Sequence, residues 1–183
     1  ILTGERIVRN QSSFVSSLSE KGKQNDYKRN RKIEYRLEEG KLYHPRVSPT
    51  VTKFLGNMCV DRDTIDYFDI RWTDKAKIGF DPNKDTTFIK DRICIPIIEN
   101  GKMVNMECRD FTLEQKTKVI YPKGSKATTL FNYDNLSKVQ TLIVVEGVKS
   151  ALRIWKYISK NVTATFGSSI SKEQREKLNE FQH

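Results

Sequence analysis

The sequence is poor in residues that could hold a structural metal. Only three of its 183 residues are cysteine and two are histidine. Cys59, Cys94 and Cys108 form no C-x-x-C pair, and His44 and His183 are the only further ligands of that kind, so a structural zinc site is not expected. Three widely spaced thiols make no disulfide framework either and fit a reducing compartment. Cys94 and Cys108 fall in strand-like runs, where a small thiol serves as core. No stretch approaches the roughly 18–20 apolar residues of a membrane span, and no basic-then-apolar segment marks a signal peptide. The expectation is a soluble, cytoplasmic protein without a membrane partner. No internal repeat is present. The first residue is Ile rather than Met, which fits an excised or processed piece.

Acids are also in short supply. Lys and Arg number 33 against 23 Asp and Glu, a formal net charge of +10. Such an excess favours a polyanionic partner, most simply nucleic acid, through counterion release at phosphates. A merely soluble basic protein is the plain alternative. Apolar residues at 37 % suffice for a modest core, and 10 % aromatics argue against wholesale disorder.

Along the chain, residues 1–45 are the least orderly. Lys21-Gly-Lys-Gln-Asn-Asp-Tyr-Lys-Arg-Asn-Arg-Lys32 is strongly basic and reads as a tether or a phosphate-touching arm. Ile33–Leu37 alternates like a short strand. Ser48 caps a predicted helix, with Pro49 in its first turn and Gly56 as its stop. Asp61 opens a second helix, Arg62 to Phe68. Trp72, Ile78 and Phe80 read as extended chain. Arg92–Ile98, a turn centred on Asn100-Gly101, and Met103–Cys108 give the strongest hairpin signal. Lys118–Gly124 is a further extended piece. Ser171 and Gln174 sit in capping-box positions for a final helix.

Leu142-Ile-Val-Val-Glu-Gly147 is the most telling segment. Four apolar residues run into an acid and a glycine, and a helical pattern follows. A buried strand ending this way delivers one carboxylate to the carboxyl edge of a sheet, where open α/β folds place their chemistry. A second strand–helix unit follows: Asn161-Val-Thr-Ala-Thr-Phe-Gly167, then Ser168 onward. Trp155 and Tyr157, in the helix after the glutamate, read as core. Tyr27, Tyr35, Tyr43, Trp72 and Tyr121 interleave with basic residues, and none is singled out as a base-stacking residue.

Taken in order, these motifs resemble the catalytic core of a bacterial or phage DnaG-type DNA primase from about Thr50 to His183. Phe54–Ile70 is similar to the family's "YL-x-x-RG-[LI]-x-x-x-x-I-x-x-F-x-I" helix pair. Asp91–Ile97 looks like its "R-[IV]-x-[FI]-PI" strand. Glu107-Cys-Arg109 stands where the family carries "GGR", and Lys118-Val-Ile-Tyr121 where it has "KYLN". Leu142–Gly147 matches "LLVVEG", and Val162–Gly167 matches "AVASLG". No single motif is decisive; the joint order and spacing carry the resemblance.

The resemblance implies a mixed α/β fold. A basic arm or linker (1–45) would precede a basic subdomain (46–137) and the first two strand–helix units of a Toprim domain with Rossmann-like parallel strands (138–183). It implies synthesis of short RNA primers on single-stranded DNA, by nucleotidyl transfer dependent on Mg²⁺ or Mn²⁺, in bacterial or phage replication. The implied partners are the single-stranded template, the RNA primer, ribonucleoside triphosphates and a replicative helicase. Glu146, beside Gly147, becomes the catalytic and metal-binding acid. Arg109, Lys118, Lys126, Arg92 and Gly167 become nucleotide or template contacts. Gly147 and Gly167 would turn the backbone beneath a phosphate.

The chain departs from the family at several places. Ser150 stands where "EGYMD" has Asp, Met58-Cys59 replaces "RG", and no Asp-x-Asp follows Gly167. A two-metal centre needs more acids than Glu146, so the remaining ligands are expected beyond His183. A fused helicase-primase and a non-catalytic nucleic-acid-binding relative are the alternatives.

Overall fold

Two runs of alternating apolar residues set the frame. In the computed structural model, which describes residues 35–80, 83, 85–123, 128–138 and 140–181, they build a five-stranded sheet in which every neighbouring pair is antiparallel. The strands are β1 (Arg36–Gly40), β2 (Arg71–Gly79), β3 (Thr87–Glu99), β4 (Lys102–Asp110) and β5 (Val119–Ile120), in that spatial order. All described residues belong to one compact unit, Ile33–His183. The basic run 21–32 lies outside the described residues. The sheet begins at Arg36, inside the stretch read as an arm or linker, because β1 pairs with β2 through Leu37 opposite Ile78.

The hairpin falls where the sequence places it. Asn100 and Gly101 both take positive φ, 54° and 72°, as a tight two-residue turn demands. Their N–H groups both donate to Asp134, at 2.8 Å each. β3 starts five residues earlier than Arg92, since Thr87–Lys90 continue the pairing with β2.

Between β1 and β2 come α1 (Pro49–Asn57) and α2 (Arg62–Phe68). Ser48 Oγ accepts from Val51 N–H at 3.4 Å, and Asp61 Oδ1 from Thr64 N–H at 3.1 Å, so both predicted caps form. Gly56 does not stop α1. It lies inside the helix, and the chain leaves through Cys59 in the left-handed region (φ 63°). Asp69 ends α2 in the same way.

The second layer is a strand–helix–strand unit: β6 (Ile143–Val145), α3 (Val148–Tyr157) and β7 (Val162–Ala164). β6 and β7 are parallel, with Ile143 opposite Val162 and Val145 opposite Ala164. Helix α4 (Lys172–Asn179) follows, and both bonds of the Ser171–Gln174 capping box are made.

One apolar core joins the layers. Val51 and Leu55 of α1, Ile65 and Phe68 of α2, and Ile93, Ile95 and Ile97 of β3 pack with Val148, Ala151, Leu152 and Trp155 of α3 and with Val162 and Ala164 of β7. The α3 residues recur at i, i+3, i+4 and i+7, one face of a helix. Each fully buried Ile or Leu in such a core contributes about 1.5–3 kcal/mol. Tyr157, read as core, is instead 65 % exposed, because two residues beyond Trp155 the helix has turned away from that face. Cys94 and Cys108 are buried neighbours across β3 and β4 in a smaller cluster with Met103 and Met106. Among the described residues no helix is long and apolar enough to cross a membrane.

Candidate functional site

The carboxyl ends of β6 and β7 lie side by side. Beyond the last register pair, Thr165 N–H donates to the Val145 carbonyl at 3.0 Å. The Thr165 hydroxyl lies 2.8 Å from the Gly167 carbonyl and donates to it. Glu146 leaves β6 at this edge. Its side chain is exposed and makes no hydrogen bond or ion pair among the described residues. β6 is only partly buried, with Val144 41 % exposed, rather than the buried strand expected; a carboxylate at its end without a partner among the described residues contributes little to folding and stays open to a ligand.

Gly147 then caps α3 without a side chain, and its carbonyl accepts from Ser150 and Ala151 N–H at 3.0 and 3.1 Å. The expected sharp turn is not made by either glycine. Gly147 has φ −123°, an extended value open to any residue. The left-handed turn after β7 falls on Phe166 (φ 63°), one residue before Gly167. A Cβ at Gly147 or Gly167 would meet nothing within 4 Å. Space, rather than backbone conformation, is what these glycines provide.

Arg109 sits on β4 opposite Ile93 and Val119. Its Nε and Nη2 donate to Glu107 Oε1 at 3.2 and 2.8 Å. The Tyr121 hydroxyl donates to Glu107 Oε2 at 2.7 Å. The Tyr121 ring meets the Phe166 ring edge-on, with centroids 5.8 Å apart. A continuous path therefore leads from Arg109 through Glu107 and Tyr121 to the end of β7, and across the Thr165–Val145 bond to the strand end that carries Glu146. Burial first, and then the Glu107 charge, push the Tyr121 hydroxyl well above its ordinary value, so it remains a donor.

The other named residues fall differently. Arg92 precedes Ile93 on β3 and so points to the sheet face opposite Arg109. It is 1 % exposed; its Nη1 donates to the Lys118 carbonyl at 3.0 Å and its Nη2 to Gln115 Oε1 at 2.9 Å. A phosphate has no access to it there, and the reading of Arg92 as a template contact is corrected to a buried brace of the 110–118 loop. Asp110, its ladder partner, secures that loop by accepting from Thr112 and Gln115 N–H at 2.9 and 3.0 Å. Burial raises the Asp110 carboxyl, but the bond donated by the Thr112 hydroxyl at 2.7 Å, followed by the two N–H bonds, outweighs it and holds it below its ordinary value. Lys118 is exposed just before β5. Lys126 lies outside the described residues.

By themselves the described residues do not fit a divalent-cation centre. Among them no three His, Cys, Asp or Glu side chains come together, and Glu146 stands alone. Sequence reasoning missed Glu107 and passed over Tyr121. The signal for Glu107 was its spacing, two residues before Arg109 in a strand, which sets the two charges on one face.

No protein-family model matches the chain, and no curated protein matches it. Solved structures do. The zinc-binding and RNA polymerase domains of the Aquifex aeolicus primase are 17 % identical, with a TM-score of 0.59 over 74 % of this chain and 41 % of that one. The E. coli primase catalytic core is 14 % identical (TM-score 0.59), covering 74 % of this chain and 54 % of its own. A DnaG primase catalytic domain bound to single-stranded DNA is 15 % identical (TM-score 0.58), covering 74 % and 53 %. The chain thus spans about half the length of the structures it matches. The fold built around Glu146 and Arg109 is that of the DnaG-type primase catalytic core.

Proposed function

We propose that this chain is part of a DnaG-type primase, contributing to the synthesis of RNA primers on single-stranded DNA. One observation supports this reading above the others: Glu146 emerges, exposed and without a partner among the described residues, at the same strand edge that the Arg109–Glu107–Tyr121 cluster reaches through Phe166. In the proposed reaction a primer 3′-hydroxyl attacks the α-phosphorus of a nucleoside triphosphate. The bond to pyrophosphate breaks, and Glu146 takes the hydroxyl proton. Arg109 and Lys118 would face phosphates, with Lys126 and the open space at Gly147 and Gly167 as further contacts. The matched catalytic domain bound to single-stranded DNA supports a template strand as partner, and the +10 charge fits that partner. Nucleoside triphosphates, the RNA primer, a replicative helicase and a phage setting belong to the proposal on the resemblance alone. So does Mg²⁺ or Mn²⁺, for which Glu146 is the one donor of this chain that the resemblance names.

A second reading, a non-catalytic nucleic-acid binder with the same fold, is favoured by the lack of any acidic cluster among the described residues. Replacing Glu146 by Gln in the intact gene product separates the two. The expected result is loss of primer synthesis on single-stranded DNA with strand binding retained. Normal synthesis by E146Q would remove Glu146 from the chemistry. Strand binding with no synthesis by the wild type would favour the binder.

A further inference from the structure

Glu107 is 2 % exposed, in the interior of β4. A carboxylate out of water is unfavourable unless its oxygens are satisfied, and here both are. Oε1 takes Arg109 Nε and Nη2, and Oε2 takes the Tyr121 hydroxyl. The strand register arranges this. Arg109 opposite Val119 and Cys108 opposite Ile120 set Glu107 across from Tyr121, while the two-residue period sets Glu107 beside Arg109. Arg109 itself is 23 % exposed, and its Nη1 makes no hydrogen bond among the described residues.

A free arginine at the edge of a basic surface would attract any phosphate. Arg109 is different: its charge is matched by a buried carboxylate, and the side of the guanidinium that Glu107 holds is unavailable to a ligand. We propose that Glu107 and Tyr121 are positioning residues for Arg109, fixing and neutralising its guanidinium so that it meets a phosphate directionally through Nη1 rather than as a loose cation. The phosphate belongs to a nucleic-acid strand or to a nucleoside triphosphate. This rests on the phosphate-binding side of the proposed function.

Two measurements on the full chain test it. The first is the salt dependence of binding to oligothymidylate and, separately, to ATP, for the wild type, E107Q and E107Q/R109A. Releasing the Arg109 charge should steepen the E107Q slope of log K against log salt by about 0.7 on the strand, one additional phosphate contact. A steeper slope on ATP alone would assign the phosphate to the nucleotide. In E107Q/R109A the increment should vanish. The second is the Arg109 Nε–H resonance in a ¹⁵N correlation spectrum. It should be sharp in the wild type, broadened in E107Q and shifted in Y121F, which removes one hydroxyl and serves if E107Q does not fold.

Wild-type slopes for E107Q on both ligands, with the resonance broadened, would reduce the cluster to a structural plug and overturn the proposal. An Nε–H resonance indifferent to both variants would show that Glu107 does not hold Arg109. A wild type that binds neither ligand would sink the proposed function and the phosphate half of this inference with it. The resonance would then decide the positioning half alone.

Discussion

Asp61 caps α2 with one oxygen and receives an ammonium from α3 with the other: Oδ1 accepts from Thr64, and Oδ2 pairs with Lys156, 95 residues away in sequence. This carboxylate ties the first helical pair to the strand–helix unit that carries Glu146.

The pair makes stability depend on pH in a defined window. Burial raises the Asp61 carboxyl, but the Lys156 hydrogen bond, followed by those from Thr64, holds it at about 2 against an ordinary 3.8. A depressed carboxylate stabilises the fold above its unfolded value and loses that contribution as pH falls through its folded one. The contribution should be full above about pH 4 and fade toward about pH 2. It should be small, since Asp61 is 42 % exposed and solvent screens the pair. Asn also caps helices, so D61N removes the ion pair alone, whereas D61A also loses the cap at about 1 kcal/mol. Urea midpoints of wild type and D61N should converge as pH drops; a gap constant over that range would show that the pair is not formed.

Glycines of two kinds should respond oppositely to alanine. Gly40 has φ +83°, and a Cβ there would run into the Lys75 carbonyl oxygen on β2. G40A should destabilise by more than about 1 kcal/mol. Gly147 and Gly167 have room for a methyl group and no left-handed backbone. G147A and G167A should leave the thermal midpoint unchanged or slightly raised, while weakening oligothymidylate binding if a phosphate uses that space. A matching fall in stability would return these glycines to a purely structural role.

Gln174 tests how the end of β7 is held. It is 1 % exposed and donates to the Thr129 and Thr165 carbonyls at 2.8 and 2.9 Å, while its oxygen accepts from Ser171 N–H at 3.1 Å. Q174L would strand two buried carbonyls and half of a capping box, at about 2–4 kcal/mol. Thr165 bonds to both Val145 and Gln174, so strand binding should weaken along with stability. Hydrogen exchange at Thr165 N–H reads the local loosening directly, and protection equal to wild type would refute the link.

The caps, the hairpin and the parallel pair were legible in the sequence because each is fixed locally. Ser48, Asp61, Ser171 and Asn100-Gly101 act on neighbours a few residues away, and the Leu142–Val145 run announces its own strand. The residues misjudged were those whose role depends on partners far along the chain. Arg92 looks like any strand-opening arginine until the 110–118 loop closes over it, 18–26 residues later. Gly147 and Gly167 suggest turns, but the turn after β7 falls on Phe166, a bulky residue whose composition gives no hint of a positive φ. The site was half legible for the same reason: Glu146 and Arg109 carry motif signals, whereas Glu107 and Tyr121 acquire their roles only when β4 and β5 come into register.

The two arginines of the hairpin should therefore separate cleanly in experiment. Arg92 braces a loop from inside the sheet, and its Nε is buried without an acceptor among the described residues. Replacing it by Met keeps the bulk but leaves the Lys118 carbonyl and the Gln115 side chain without a donor. R92M should cost about 3 kcal/mol in urea denaturation. Because no phosphate reaches Arg92, the salt slope of oligothymidylate binding should stay at its wild-type value, measured at a temperature where R92M remains folded. E107Q/R109A, which removes the guanidinium without leaving a buried carboxylate unpaired, should instead weaken oligothymidylate binding. Arg109 is 23 % exposed, and with its buried carboxylate partner neutralised as well stability falls less than in R92M. A shallower salt slope in R92M with undiminished stability would mean that Arg92 reaches phosphate, and that the loop holding it opens when nucleic acid binds.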